Sequence, residues 1–443
     1  MHKDLVIHII TRLEPGGSAQ NVIDSVIYQA RERRVLLITG PYDAPEKLRL
    51  NPVREQTLTV TDGGIIPPSA GNTPHRRQAP TAFSNGVNLP ENAWRLEIPE
   101  LLRNLSPLND LRAFLKLKKT IAELKPSIVH THTSKAGILG RFAAWFANRK
   151  NKDARALIVH TPHGHVFYGY FGPVRAFLFK QAERLAARIT DHFIALTCGE
   201  MRESLAGGLG TPDKWLVIHS GIRFEPRSYE HAKTDLGMAK EELAIAVVAR
   251  LEPVKGVEYF IRAAAELEGR DIGKKLKFLV VGDGSLKTEL MALAGELGLG
   301  TKIVFTGFQR EVYKYLAAAD IYVQPSLNEA MGRTVLEAQY MKLPVVATKV
   351  CGLPDAVRDG VTGILVPPAD SKAIAGAVEE LIKDDQKRYR MREAGRRFVL
   401  EKDFTGYTRF SAESMNIQMK KFYNKILAQR NYFYSRTLRG NIR

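Results

Sequence analysis

The feature that most constrains the fold is a repeated alternation of short apolar runs with longer segments of helical periodicity. The runs lack a helical period, which is typical of strands buried on both faces of a parallel sheet. Because the alternation occurs in two series, the sequence predicts an α/β protein with two doubly wound, Rossmann-like domains. The predicted strands are residues 5–10, 34–40, 126–132, 156–167, 191–197 and 214–222, then 243–250, 275–285, 302–308, 320–326, 344–348 and 363–367.

The length and charge of the chain limit its class. Its 443 residues, 44% of them hydrophobic, are enough for two or three cores, and a net charge of +18 favours an anionic partner. Two distant cysteines, Cys198 and Cys351, indicate neither a disulfide framework nor a cysteine metal site, and fit a reducing cytoplasm. The apolar N-terminal run is a first strand and not a signal peptide, and no run is long enough to span a membrane.

One segment of the first half breaks the alternation. Residues 62–92 contain five prolines and four glycines and show no periodicity, so we expect a long loop there. A neutral insertion is the favoured interpretation of this segment.

The most informative stretch is 325–348, where a strand, a loop and a helix follow each other. Glu329 lies in the loop and Glu337 inside the helix. Either carboxylate can hold a pair of neighbouring hydroxyls. The first N–H groups of the helix form an anion site together with its dipole, and Gly332 lets a ligand come close. The residues that we expect to offer these groups are Met331, Gly332, Arg333 and Thr334.

Two cations flank the loop after the first strand of the second series. Arg250 ends the strand and Lys255 opens the next helix, a spacing suited to clamping a diphosphate. Two solvated basic side chains near a loop would give the same pattern. The segment GDGS that follows the next strand is not the dinucleotide fingerprint, which argues against NAD.

Glycines and histidines follow the strands of the first series. Gly16 and Gly17 stand in the first strand-to-helix loop, where they allow close approach to a ligand or form only a turn. The histidines stand at two later strand ends, where open α/β sheets bind ligands. Their spacing matches no zinc site, so we predict no metal. His163 is our candidate for a bond to a sugar hydroxyl, although backbone bonding would also explain it. These histidines are His130, His132, His160, His163 and His165.

Two basic segments carry aromatic residues. Residues 134–150 form a helix that fits either an anionic bilayer surface or the core. Residues 405–443 hold eight Lys or Arg and one acidic residue, Glu413. They either pack back on the first domain or form a tail for anionic lipid or nucleic acid.

Taken together, these motifs resemble glycosyltransferase family 4, of the GT-B fold, in its bacterial polysaccharide branch. The similar segments are VHTHTSKAGILGRFAA, HTPHGHVF, ARLEPVKG, NEAMGRTVLEA and GRTVLEAQYMKLPVVATKVCGLPDAV. The resemblance covers nearly the whole chain. The chain departs from the family pattern at the long 62–92 insertion and at Ala330-Met331, where Gly-Phe is commoner in the family.

The resemblance implies two domains facing across a cleft, and a role for each candidate residue. Arg250 and Lys255 would bind the donor diphosphate, and Glu329 would contact the transferred sugar with the backbone of 330–333. Glu337 would hold the ribose hydroxyls, while His163 would lie by the reacting sugar. The first domain would bring Gly16 and Gly17 to the phosphates and acceptor. We expect an N-terminal acceptor-side domain at 1–220, a nucleotide-sugar domain at 221–403, and a basic helix or tail at 404–443 that returns to the first domain.

The expected activity is that of a metal-independent, retaining hexosyltransferase. It would use no cofactor and would move a sugar, by family analogy from a UDP-sugar, to a lipid-linked saccharide for surface polysaccharide. The chain offers no DxD motif for a metal. We expect a cytoplasmic protein, peripheral on the inner face of the cell membrane, without a nucleic-acid partner. The alternatives are a GT-B UDP-sugar 2-epimerase and a non-catalytic basic protein that binds membrane or nucleic acid.

Overall fold

The chain forms two parallel β-sheets, each flanked by helices, with a cavity between them. The computed structural model describes residues 4–13, 16–41, 59–61, 64–66, 90–151, 154–164, 172–224 and 229–440. This architecture confirms the predicted pair of Rossmann-like domains. The strands are β1 (Leu5–Ile10), β2 (Arg34–Thr39), β3 (Thr59–Thr61), β4 (Gly64–Ile66), β5 (Ala93–Glu97), β6 (Ile128–His132), β7 (Leu157–Thr161), β8 (His192–Ala195), β9 (Trp215–Val217), β10 (Leu243–Val248), β11 (Leu276–Val281), β12 (Ile303–Gly307), β13 (Ile321–Gln324), β14 (Val345–Thr348) and β15 (Gly363–Val366).

Helices cover both faces of each sheet. They are α1 (Gly17–Gln29), α2 (Pro107–Leu124), α3 (Ser134–Lys150), α4 (Pro173–Arg188), α5 (Cys198–Ala206), α6 (Ala232–Asp235), α7 (Val257–Glu268), α8 (Lys287–Glu296), α9 (Val312–Ala318), α10 (Arg333–Tyr340), α11 (Leu353–Ala356), α12 (Ser371–Lys383), α13 (Asp385–Leu400) and α14 (Ala412–Gly440). Among the helices described, none combines the length and apolarity needed to cross a bilayer.

Strand order decides where each sheet can bind a ligand. The first sheet has the order β5-β2-β1-β6-β7-β8-β9 and the second the order β12-β11-β10-β13-β14-β15. The order therefore reverses between β1 and β6 in the first sheet, and between β10 and β13 in the second. Ligands of open α/β sheets bind at the carboxyl ends of strands at such switch points. The loops after β10 and β13 carry Arg250, Lys255 and Glu329, which places all three at the switch point of the second sheet.

The expectation of a loop throughout 62–92 is wrong for three residues. Residues 64–66 form β4, which pairs antiparallel with β3. A three-residue strand is too short to show an alternating pattern, so periodicity misses it. Residues 90–92 lead into β5, and the remainder of the segment lies outside the described residues.

Both basic helices contribute to the first domain's core. The alanines of α3 are buried, and Trp145 packs against the same cluster, so this helix belongs to the core. Helix α14 covers the other face of the first sheet, where Met415, Met419, Phe422 and Tyr423 meet residues of β1, β6, β7 and β8. The chain thus returns to its first domain after completing the second.

Candidate active site

A cavity of about 330 Å³ lies between the two domains, at the carboxyl ends of their strands. Both domains line it. The predicted site residues that reach this cavity are Gly16, Gly17, His163, Arg250, Lys255, Glu329, Met331, Gly332 and Arg333. Thr334 and Glu337 lie on α10 and are not among the lining residues. Segments far apart in sequence therefore converge here, as the switch-point geometry requires.

The loop after β10 places its two cations differently. Arg250 is exposed at the cavity, whereas Lys255 ends a single 3-10 turn at Pro253–Lys255 and is largely buried. Its Nζ lies 2.5 Å from Glu329 Oε2. The ammonium group is thus held in one place by a carboxylate from the neighbouring loop, while it still faces the cavity.

Glu329 is also the end of a row of hydrogen bonds that runs into the second domain. Tyr322 OH donates to Gln324 Oε1 at 2.5 Å, and Gln324 Nε2 donates to Ser326 Oγ at 2.8 Å. Ser326 Oγ in turn lies 3.4 Å from Glu329 Oε2. We call these four side chains the carboxylate row. Sequence reasoning missed the first three, although polar residues at alternate positions of an otherwise apolar strand are a readable signal.

Helix α10 begins at the cavity wall. Its N-cap, Gly332, has φ 75°, and no side chain caps the helix. A Cβ at this position would lie 2.6 Å from Leu353 Cδ2 and would strain the left-handed backbone, so both favour glycine here. The uncapped first turn leaves N–H groups that attract an anion.

Two of the predicted anion-binding residues differ in position: Met331 lines the cavity and Thr334 does not. Met331 precedes the N-cap, and its buried Sδ accepts a hydrogen bond from the Ser220 N–H at 3.2 Å. Met331 therefore packs the junction between the domains. Thr334 lies on α10 away from the cavity lining.

Glu337 lies one turn into α10 and is not among the residues that line the cavity. Burial raises the pKa of its carboxyl, while the neighbouring Arg333 acts in the opposite direction. Its predicted contact with ribose stays a prediction.

The first domain reaches the same cavity through α1 and the end of β7. Arg333 Nη1 donates to the Gly17 carbonyl at 3.2 Å, which joins the two walls. A Cβ on Gly17 would lie 3.1 Å from Arg333 Cδ. His163 lines the cavity with φ 58°, in the left-handed region that few non-glycine residues adopt.

The histidines predicted at strand ends separate according to strand alternation. His130 and His132 point to one side of the first sheet, where His8 of β1 is paired with His130. His160 lies on the other side, bonded to Thr131 Oγ1 at 2.9 Å. His165 lies outside the described residues.

The rings of His8, His130 and His132 lie close enough together to raise the question of a bound metal. The possible ligand atoms of His8, His130 and His132 lie within 4.8 Å of one another. Each ring nitrogen already has a hydrogen-bond partner within the described residues, and all three rings are buried. A cation would have to displace those bonds and would gain no carboxylate ligand, so the donor set fits a hydrogen-bonded cluster better than a metal centre.

Comparison with known proteins agrees with this geometry. Residues 68–225 match the family described as Glycosyltransferase Family 4, and residues 228–398 match the family described as glycosyl transferases group 1. An Escherichia coli UDP-Gal:alpha-D-GlcNAc-diphosphoundecaprenol alpha-1,3-galactosyltransferase is 30% identical over 65% of this chain and 74% of its own. The putative glycosyltransferase EpsD of Bacillus subtilis is 29% identical over 72% of this chain and 84% of its own.

A solved structure shows the same fold. Anabaena Alr3699/HepE in complex with UDP-glucose superposes with a TM-score of 0.68 at 20% identity, covering 95% of this chain and all of its own. The chain therefore belongs to glycosyltransferase family 4 and is a glycosyltransferase of the GT-B fold.

Proposed function

We propose that this enzyme transfers a sugar from a UDP-sugar to a lipid-linked saccharide during synthesis of a surface polysaccharide. The observation that carries the proposal is the meeting of Lys255, Glu329 and the α10 N-terminus with His163 at one cavity. The E. coli relative is named for UDP-galactose and a diphosphoundecaprenol-linked acceptor, and a Staphylococcus aureus relative for capsular polysaccharide biosynthesis. The Anabaena structure holds UDP-glucose.

The second domain supplies the groups that a diphosphate needs. Arg250 is exposed at the cavity and can follow the diphosphate as it enters, whereas Lys255 is fixed by Glu329. The N–H groups at the start of α10 complete the anion site from a third direction. Glu329 receives its bonds at Oε2, so its second oxygen retains capacity for a sugar hydroxyl.

Bond cleavage makes the strongest demand on these groups. When the bond between the anomeric carbon and the phosphate oxygen breaks, negative charge builds on the departing UDP. Lys255 and the α10 N-terminus stabilise that charge without first having to reorganise. These positive groups can neutralise the charge of the diphosphate in place of a divalent ion. Their presence supports a metal-independent reaction.

We further propose that the anomeric configuration is retained. The acceptor hydroxyl would attack from the face that UDP leaves, forming the new C–O bond while its proton passes to the leaving phosphate. Because this same-face attack needs no protein nucleophile, we assign none, and Glu329 instead pairs with Lys255.

Exposed apolar side chains on two helices of the first domain support a lipid-linked acceptor. Both helices contact α3, and Leu108 is 72% and Phe177 59% exposed. Basic residues alternate with them, which suits an anionic bilayer. We define this lipid-facing surface as Leu108, Leu111, Leu115, Val174, Phe177 and Leu178. It replaces α3 as the predicted membrane contact, at the inner face of the cell membrane.

Flotation with vesicles tests the lipid-facing surface. We expect binding to vesicles with anionic lipid, and loss of binding in the double variant Leu108→Ser/Phe177→Ser. The matched control is Val361→Ser, which removes an equally exposed apolar side chain from the second domain. Equal binding by both variants would reject the surface as the docking site.

Activity on defined substrates tests the proposed function as a whole. UDP-, GDP- and ADP-sugars are each offered with a short-chain lipid diphosphate saccharide, with and without EDTA, and the product's anomeric configuration is read by NMR. We expect transfer from a UDP-sugar, undiminished by EDTA, with retention. A UDP concentration of 100 times Kd should raise the free energy of unfolding by about 2.7 kcal/mol. Transfer only from another nucleotide-sugar would overturn the UDP donor. Loss of activity in EDTA would overturn metal independence, and a product of inverted configuration would overturn retention.

A further inference from the structure

A row of buried side chains connects the interior of the first domain to the cavity. Gln29 Oε1 lies 3.1 Å from His8 Nε2, and His8 Nδ1 lies 2.9 Å from His132 Nε2. His132 Nδ1 then lies 3.0 Å from Nε2 of His163, the ring that lines the cavity. We call these four side chains the histidine row. Each inner ring uses both nitrogens, so the contacts form one continuous path.

Hydrogen-bonding rules give this row a direction. A neutral imidazole has one N–H donor and one acceptor nitrogen, and an amide oxygen only accepts. Because Gln29 presents its oxygen, His8 carries its proton on Nε2 and accepts at Nδ1. His132 then donates from Nε2 and accepts at Nδ1, so His163 donates from Nε2. The row leaves His163 Nδ1 as an acceptor.

Burial keeps the rings neutral, so each ring has one donor and one acceptor nitrogen. It lowers the pKa of His8 to about 4, assisted by Arg33, and that of His163 to about 3, assisted by Arg333. The pKa of His132 also lies well below its usual value because of burial. The other titratable rings facing the row are His130 and His160.

The backbone beside His163 is fixed independently. The Gly164 N–H donates to Glu200 Oε1 at 2.6 Å, and Glu200 Oε2 accepts from the Leu196 N–H at 2.7 Å. This carboxylate therefore holds the turn in which His163 adopts its positive φ. With the backbone held by Glu200, the bond to His132 decides how the ring itself is oriented.

We propose that His8 and His132 are positioning residues that present His163 Nδ1 to the cavity as a hydrogen-bond acceptor. This part of the cavity would then take a neutral hydroxyl, such as a sugar hydroxyl, and not a phosphate oxygen, which also only accepts. The inference rests on the proposed function for the identity of the sugar. The orientation and tautomer of the ring can be measured without any substrate.

The experiment reads the tautomer of His163 directly. Histidine is labelled with nitrogen-15 in the full chain, and long-range proton–nitrogen correlation distinguishes Nε2–H from Nδ1–H rings. His163→Gln assigns the signal. In the wild type, we expect His163 to be in the Nε2–H form alone. In His132→Phe, we expect that this is no longer the single form. His132→Gln, which keeps a donor and an acceptor, should restore it. His160→Gln is the matched control, since it removes a buried histidine outside the row.

Kinetics supply a second measurement. We expect His132→Phe to lower kcat about tenfold, the equivalent of one lost hydrogen bond, with UDP affinity unchanged. An Nδ1–H tautomer in the wild type, or a His163 signal unchanged in His132→Phe, would overturn the proposal. An inactive enzyme that shows the expected tautomers would instead reject the proposed function and leave the positioning role intact.

Discussion

The histidine row and the carboxylate row both lead from a domain interior to the same cavity, but they end in different chemistry. The histidine row consists of uncharged groups and ends at the ring of His163. The carboxylate row ends in the ion pair of Glu329 with Lys255. Both rows are largely buried, so the contrast does not come from solvent exposure.

Under the proposed function, this difference implies that the two domains divide the recognition of a nucleotide-sugar. In the neutral histidine row, each group has a fixed role as hydrogen-bond donor or acceptor. Such a row is suited to recognising hydroxyl groups. An ion pair in a partly desolvated place responds to a change in charge, which suits a diphosphate that gains charge during the reaction. Substitutions in one row should therefore alter a different property of the enzyme from substitutions in the other.

Removing the ammonium of Lys255, which pairs with the end of the carboxylate row, should have the largest effect. Under the proposed function, Lys255→Met takes a fixed positive group away from the leaving UDP, and we expect kcat to fall about 100- to 1000-fold, as for a lost oxyanion-hole donor. Steady-state kinetics with the UDP-sugar measures this. Lys277→Met, which removes a partly exposed lysine of β11 that bonds to the Thr301 carbonyl, is the control and should retain full activity. A kcat within twofold of wild type would show that Lys255 does not act on the leaving group.

A substitution at the start of α10 should have the next largest effect, in this case on the stability of the protein. Gly332→Ala forces an alanine into a left-handed conformation and against Leu353, so we expect a loss of about 1–2 kcal/mol in the free energy of unfolding. Urea denaturation measures the change. Gly376→Ala, in the middle of α12 with open space around it, should instead add about 0.5–1 kcal/mol. Equal stability of the two variants would mean that the tight contact at Gly332 relaxes freely.

The histidine row should reveal itself through pH. The pKa values of His8 and His163 fall from 6.5 to about 4 and about 3 on folding, so the native state resists protonation. Their stabilising contribution is present above pH 6.5 and is lost as pH falls towards those values. In that range, each such ring should lower the free energy of unfolding by about 1 kcal/mol for every unit by which the pH falls. Urea unfolding at several pH values between 8 and 5 measures the slope.

A carboxylate of the first domain acts in the opposite direction and provides the control. Burial raises the pKa of Glu200 from 4.5 to about 7, so its contribution is present at low pH and is lost as pH rises through 7. Glu200→Gln should therefore make the loss of stability on acidification steeper. A stability that does not change between pH 7 and 5 in this variant would mean that the buried rings are not held neutral.

The sequence was sufficient for the fold and for the choice of Arg250, Lys255 and Glu329 as site residues. Apolar runs and helical periods predict both domains, and local motifs with the family resemblance select these three residues. The ion pair of Lys255 with Glu329, which are 74 positions apart, was not predicted. The histidine row depends on the strand order and register instead, because β1 and β6 become neighbours and pair His8 with His130. Partners more than 100 positions apart, such as His8 and His132, leave no local signal. A histidine inside an apolar strand indicates a buried polar contact without naming its partner.

The contact that joins the two walls should give the smallest effect. In Gly17→Ala the new Cβ would lie 3.1 Å from Arg333 Cδ, the flexible part of a side chain that can shift by a few tenths of an ångström. Since Gly17 is the first residue of α1 and its backbone is not left-handed, alanine should add at most about 1 kcal/mol to the free energy of unfolding, and kcat/KM should fall by less than about threefold. Arg333→Ala, which removes the bond to the Gly17 carbonyl, should weaken activity more. If Gly17→Ala instead impairs the enzyme as severely as Lys255→Met, then Gly17 contacts the substrate directly, and the two walls divide recognition less cleanly than their rows indicate.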